Sequence, residues 1–230
     1  MNSDHYSLPA HEISCQEALS PLQSGIISSR RTKKGIVGGT FDPPHLGHLV
    51  MAEAARTQLA LDEVVFMPAA QPPHKQGVAI SSLAHRLAMV RHAIADHEHF
   101  TLSTFEATRK GLNYTTETMR LLRQAWGNQV QLFFIMGLDS LVDLPKWHQP
   151  QQLIELVHLA VIARPGYEAN MGALEQHLPG ITKRVTFAHA PLIGISSTDI
   201  RQRVRQGHSI RYLVPKEVEA YIEQWGLYRG

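Results

Sequence analysis

Beyond its first 34 residues the chain alternates short apolar runs of strand length with segments of helical periodicity, and this alternation limits the possible folds more than any other feature. Residues 35–38 open a strand, and the stretch 48–59 sets Leu49, Ala52, Ala55 and Leu59 on one helical face. Residues 63–67 read as the next strand. Ser82 caps a helix whose Leu83, Leu87, Val90 and Ile94 share a face, and an extended stretch over 100–105 follows it. A further helix runs over Thr115–Trp126 and stops at Gly127; residues 130–136, His158–Ala163 and 184–188 have the character of buried strands. The last helical pieces start at Ser197 and at Pro215, the second ending near Gly226. Repeated strand, helix, strand units predict an α/β chain built on a parallel sheet with right-handed crossovers. Ligands of such sheets sit at the carboxyl ends of the strands, so the functional residues are expected just after them.

The chain has 230 residues, enough for one large domain with an appendage. Residues 1–34 mix Ser, Pro, Gln and scattered charge, ending in Arg30, Arg31, Lys33 and Lys34, and read as a disordered N-terminal extension to a domain over 35–230. The extension lacks the apolar core and cleavage site of a secretory signal. No apolar run reaches the ~18 to 20 residues of a membrane span, so no membrane role is expected. Cys15 is the sole cysteine, which excludes an intrachain disulfide and a four-cysteine zinc site and fits a reducing, cytoplasmic setting. With 22 basic against 20 acidic side chains, nonspecific nucleic-acid binding has little support, while a homo-oligomer is left open.

The most informative stretch is Gly38-Gly39-Thr40-Phe41-Asp42-Pro43-Pro44-His45-Leu46-Gly47-His48, directly after the first strand. Paired glycines let a backbone approach a ligand closely with N–H groups turned toward an anion. His48 falls near a helix start, whose positive end favours phosphate. His45 and His48 can converge on one site, donating hydrogen bonds to phosphate when neutral and offsetting its charge when protonated. On its own, a His-x-x-His pair is more often incidental than functional. Zinc would need a third protein ligand, and neither a His-Glu-x-x-His spacing nor a nearby cysteine supplies one, so no metal site is expected.

The chain has no G-x-x-x-x-G-K-[ST] loop and no G-x-G-x-x-G fingerprint. A second anion-binding element lies far downstream at Ile195-Ser196-Ser197-Thr198-Asp199-Ile200-Arg201, where hydroxyl residues open a helix and Arg201 sits one turn inside. Alone, such a run is an ordinary helix cap with a surface cation. Together the two elements can form a cradle for a polyphosphate.

His45-Leu46-Gly47-His48 and Ile195–Arg201 resemble the H-x-G-H and I-S-S-T-x-x-R signatures of a nucleotidyltransferase superfamily. Within it, the longer string from Gly38 to His48 is similar to the bacterial nicotinate-nucleotide adenylyltransferases. So are Pro72-Pro73-His74-Lys75, Asn113-Tyr114-Thr115, Gly137-Leu138-Asp139-Ser140-Leu141, Lys146-Trp147 and Ala163-Arg164-Pro165-Gly166, a likeness spanning roughly residues 35–229. The resemblance implies a Rossmann-like, doubly wound parallel sheet with helices on both faces. It also implies transfer of the adenylyl group of ATP to nicotinate mononucleotide, giving deamido-NAD and pyrophosphate, with Mg2+ carried by ATP and no dedicated metal site on the protein.

By the same resemblance, His45 and His48 contact the ATP phosphates, and the backbone amides of Gly39, Thr40 and Phe41 line their pocket. Ser197, Thr198 and Arg201 hold the β and γ phosphates, Lys75 closes over them from a loop, and Asp139 after Gly137 accepts from a ribose hydroxyl. Trp147 stacks on the pyridine ring, while Thr115 and the His148 backbone N–H take the carboxylate. Lys75 as a solvated loop lysine, Asp139 as a helix cap and Trp147 as core packing stay open. So do three rival functions: adenylyl transfer to nicotinamide mononucleotide, transfer to phosphopantetheine, and a nucleotide sensor without turnover.

Overall fold

The computed structural model describes residues 12–13, 31–71, 79–109, 111–163, 169–191 and 193–229. Its strands are β1 (Glu12–Ile13), β2 (Thr32–Gly39), β3 (Glu63–Pro68), β4 (Phe100–Ser103), β5 (Val130–Gly137), β6 (His158–Ala163) and β7 (Val185–His189). They form one sheet in the order β1-β4-β3-β2-β5-β6-β7, and every pairing is parallel. The α-helices are α1 (Leu46–Leu59), α2 (Leu83–Ile94), α3 (Thr115–Trp126), α4 (Leu138–Asp143), α5 (Pro150–Leu156), α6 (Met171–His177), α7 (Ser197–Arg205) and α8 (Lys216–Gln224).

Side chains alternate across each strand with a period of two, and in this sheet both faces are buried. Val37, Val64, Phe66, Phe133, Ile135, Ala160 and Ile162 point to the face covered by α1, α2, α7 and α8, with Ala52, Ala55, Met89, Val90, Ile200, Val218 and Ile222 packed on them. Their strand neighbours Ile36, Val65, Met67, Leu132, Phe134, Met136, Leu159 and Val161 face the opposite way, against Met119, Leu122, Leu141, Leu153, Ile154 and Leu174 of α3 to α6. The chain is thus doubly wound, with helices on both faces. Strand order reverses between β2 and β5, so their carboxyl ends, at Gly39 and Gly137, flank the crevice where ligands of open α/β sheets bind.

Several expected boundaries shift. The first long strand begins at Thr32 rather than at Gly35, so Lys33 and Lys34, assigned above to the extension, belong to the sheet; Lys34 is in register with Glu63 and Leu132. Residues 12–13 pair with β4 at the sheet edge. The buried face of α2 is Arg86, Met89, Val90, Ala93 and Ile94, placing a guanidinium where the apolar period pointed to Leu83 and Leu87. Pro215 precedes α8 as its cap, with no place inside the first turn. No helix among the described residues is long and apolar enough to cross a membrane.

Candidate active site

The segment joining β2 to α1 turns back sharply at Phe41, whose φ of 51° lies in the left-handed region that costs a bulky residue about 1–3 kcal/mol. Burial compensates: the Phe41 ring is 2% exposed and meets the His48 ring edge-on, centroids 5.0 Å apart. His45 is the N-cap of α1 and His48 its third residue, which puts their rings side by side with centroids 3.8 Å apart. The His45 backbone N–H donates to His48 Nδ1 at 3.2 Å. A neutral imidazole that accepts at Nδ1 carries its proton on Nε2, so His48 presents an N–H donor. Burial lowers the His48 pKa to about 3, with the adjacent His45 adding to the effect, and lowers that of His45 to about 4. Both rings are therefore neutral near pH 7. In the free chain the neutral form, which donates a hydrogen bond, is the resting state of both rings.

Gly47 has a steric reason. A Cβ there would fall 3.0 Å from His45 Nδ1 and 3.1 Å from its Cε1, so any side chain would displace the ring. His45 Nδ1 itself is buried without a protein hydrogen-bond partner among the described residues, an orphan that points to a ligand or solvent contact.

Helix α7 abuts the same segment. Ser196 is its N-cap, accepting from the Asp199 N–H at 3.1 Å; Ser197 Oγ donates to the Pro43 carbonyl at 2.8 Å; and Arg201 donates from Nη1 to the Asp42 carbonyl at 2.7 Å and from Nη2 to Thr198 Oγ1 at 3.3 Å. The two signature stretches, more than 150 residues apart, thus meet side by side. Ser197 Oγ and one Arg201 N–H are spent on holding the segment, which leaves the first-turn amides of α7 and the remaining guanidinium edge for anions.

A cleft of about 650 Å³ opens at the β2/β5 switch point, and its lining includes Gly39, Thr40, Thr115, Asp139, Trp147 and His148. Thr115 opens α3, whose first N–H groups lack intrahelical partners. The Thr116 hydroxyl donates to the His148 carbonyl at 2.7 Å, and the His148 ring stacks on Tyr114 at 4.2 Å, which fixes the backbone that sequence assigned to the carboxylate. Trp147 presents its ring edge-on to Phe134, at 6.0 Å and 80°. Asp139 lies in the first turn of α4, with Gly137 as the cap. His45, His48, Phe41, Gly137, Ser197, Thr198 and Arg201 are not part of this cleft lining; Gly137 ends β5, and the others assemble around the 41–43 segment. Lys75 lies outside the described residues, as do the rest of its loop and the 164–166 stretch.

Four polar residues that carry the site had no assigned role. Arg86, 1% exposed, donates to the carbonyls of Thr40 (3.0 Å), Ala69 (2.7 Å), Ala70 (3.3 Å) and Ser81 (3.1 Å), tying the loops after β2 and β3 together. Asn113 exchanges two bonds with Gln71: its Oδ1 accepts at 2.8 Å and its N–H donates at 3.1 Å. Asp42 is buried within the 41–43 segment. Glu106 is buried at the cleft wall and accepts from Thr118 Oγ1 at 2.6 Å; burial pushes its pKa up to about 6.

Residues 36–203 match the cytidylyltransferase-like family model, so the fold and the paired signatures belong to a nucleotidyltransferase. Among curated relatives, a Thermomicrobium roseum protein named "Probable nicotinate-nucleotide adenylyltransferase" is 46% identical over 86% of this chain and 92% of its own length. A Synechococcus protein of the same name is 47% identical over 84% of this chain and 93% of its own. The solved Plasmodium falciparum nicotinic acid mononucleotide adenylyltransferase, complexed with NaAD, superposes with a TM-score of 0.72 at 18% identity, covering 86% of this chain and 97% of that one, and supports the fold. The chain belongs to the nicotinate-nucleotide adenylyltransferase family.

Proposed function

We propose that this enzyme transfers the adenylyl group of ATP, supplied as its magnesium complex, to the 5'-phosphate of nicotinate mononucleotide, the adenylylation step of NAD synthesis. A phosphate oxygen of the mononucleotide attacks the α-phosphorus in line. The new P–O bond joins the two nucleotides, and the bond from the α-phosphorus to the bridging oxygen breaks, releasing pyrophosphate as deamido-NAD forms. No covalent intermediate is involved, so the chain's work is orientation and charge stabilisation. His48 Nε2–H and His45 donate to the triphosphate from the start of α1, while the amides of Gly39, Thr40 and Phe41 line its path. Arg201, Thr198 and Ser197 bring positive charge and the helix terminus to the departing phosphates, and Lys75 adds a second cation. Asp139, following Gly137, accepts from a ribose hydroxyl. Trp147 covers the pyridine ring, with Thr115 and the His148 N–H on its carboxylate. A cytoplasmic setting accords with this chemistry and with a single cysteine.

The observation that carries the reading is the meeting of the His45–His48 helix start with Ser197 and Arg201 on one short segment, bordering a cleft with an aromatic wall. Pyrophosphate release with ATP and a panel of acceptors tests it. Nicotinate mononucleotide is expected to exceed its amide by at least about tenfold in kcat/KM. Equal rates would remove the acid preference, turnover with phosphopantetheine alone would reassign the acceptor, and ATP binding without turnover would make the chain a sensor.

A further inference from the structure

Asp42 sits between the anion-facing residues Thr40 and His45, yet its carboxylate is turned into the protein and is 2% exposed. Three chain segments converge on it. Its Oδ2 accepts the Ser81 N–H at 3.1 Å, its carbonyl accepts Arg201 Nη1 at 2.7 Å, and its Oδ1 accepts the Tyr228 hydroxyl at 2.6 Å. Tyr228 reaches this point from 186 residues away, in a turn beyond α8 where its own backbone is left-handed at φ 66°. Burial and the Asp42 charge hold the Tyr228 phenol well above its usual pKa, so it acts as a donor. Burial lowers the pKa of Arg86, which fixes the Thr40 carbonyl, and the nearby Asp42 charge opposes that shift.

A buried carboxylate deprived of one donor does not merely lose a bond; it is left under-solvated, and the backbone that carries it relaxes toward water. Here that backbone is the segment that sets the His45 N-cap and receives both Ser197 and Arg201. Displacements of about 1 Å in such a frame cost up to about 100-fold in rate. We infer that Tyr228 is a positioning residue for adenylyl transfer, its hydroxyl acting through Asp42 to hold the phosphate-side segment in register with α1 and α7. The inference rests on the reaction proposed above.

The full-length wild type and the Tyr228→Phe, Asp42→Asn and doubly substituted chains are compared by steady-state kinetics with MgATP and nicotinate mononucleotide, alongside thermal unfolding. Wild-type turnover tests the reaction; the ratio of variant to wild type tests the inference. Tyr228→Phe keeps the ring and removes one oxygen, and it should lower kcat about tenfold with both KM values within about threefold. Because the two side chains form one unit, adding Tyr228→Phe to Asp42→Asn should cost less than about twofold more. Wild-type kcat in the Phe variant, a loss of rate that merely tracks loss of folded protein, or multiplicative losses in the double variant would each overturn the inference.

Discussion

Around the 41–43 segment the Phe41 ring is packed, but Asp42 and Pro43 are fixed by hydrogen bonds to specific polar atoms, whereas the cleft wall at Trp147 is built from ring edges and apolar side chains such as Ile36, Met67, Met119 and Phe134. Hydrogen bonds to buried groups are directional and costly to leave half-made, so the phosphate end tolerates few arrangements. Apolar contacts fall off gradually with distance and accept similar shapes. Under the function proposed above, the stiff end would govern the reaction class and the softer one the choice of acceptor. Exchange of acceptors is expected to need changes only around Thr115, Trp147 and His148.

The largest test of this contrast is His48→Asn. Asparagine keeps an acceptor where Nδ1 receives the His45 N–H and discards the Nε2–H donor. Turnover should fall by about 100- to 1000-fold in a folded chain, read from steady-state rates and far-UV circular dichroism. A loss under threefold would break the assignment of the stiff end. At the softer end, Trp147→Ala should raise the KM for the mononucleotide up to about tenfold and leave that for ATP within about twofold; an effect confined to ATP would reverse the two ends.

The smallest effect concerns Glu106, in the cleft wall. Its carboxyl titrates at about 6 in the folded protein against 4.5 ordinarily, so across that window the native state keeps a proton that the unfolded state has lost. The stability this supplies is complete below about pH 4.5 and disappears as pH climbs through about 6. Glu106→Gln retains an acceptor for Thr118 and has no charge to bury. Its thermal midpoint should exceed the wild type by about 2–4 °C at pH 8 and match it at pH 4, followed by calorimetry across pH. An equal gain at both pH values would show that ionisation of Glu106 is not the cause.

Most of the fold was legible because strand alternation and helix periodicity are local. The bounds of α3 and β6 coincide with those expected, and Ser82 caps α2 through a bond from the His85 N–H. Helices α5 and α6 were not read out, since seven residues hold fewer than two full turns of period; in the structure they start at Pro150 and after the Asn170 cap. At the site, residues close in sequence to a signature were found. Arg86 and Tyr228 were not, and Asn113 was matched without a role, since each acts through backbone or carboxylate groups far along the chain that only the tertiary fold brings within reach. Arg86 also interrupts the apolar face of its own helix, so periodicity alone does not mark it as buried.

Gly47 contributes no side chain, yet the His45 ring leaves this position on α1 little freedom to drift. Even one methyl group would force the His45 ring to yield by a few tenths of an ångström, while the neighbouring Leu46 and Leu49 are only partly buried and have room for exchange. Random mutagenesis with selection for growth should therefore return glycine alone at 47 while 46 and 49 vary, a scar of crowding at a residue that has no side chain of its own.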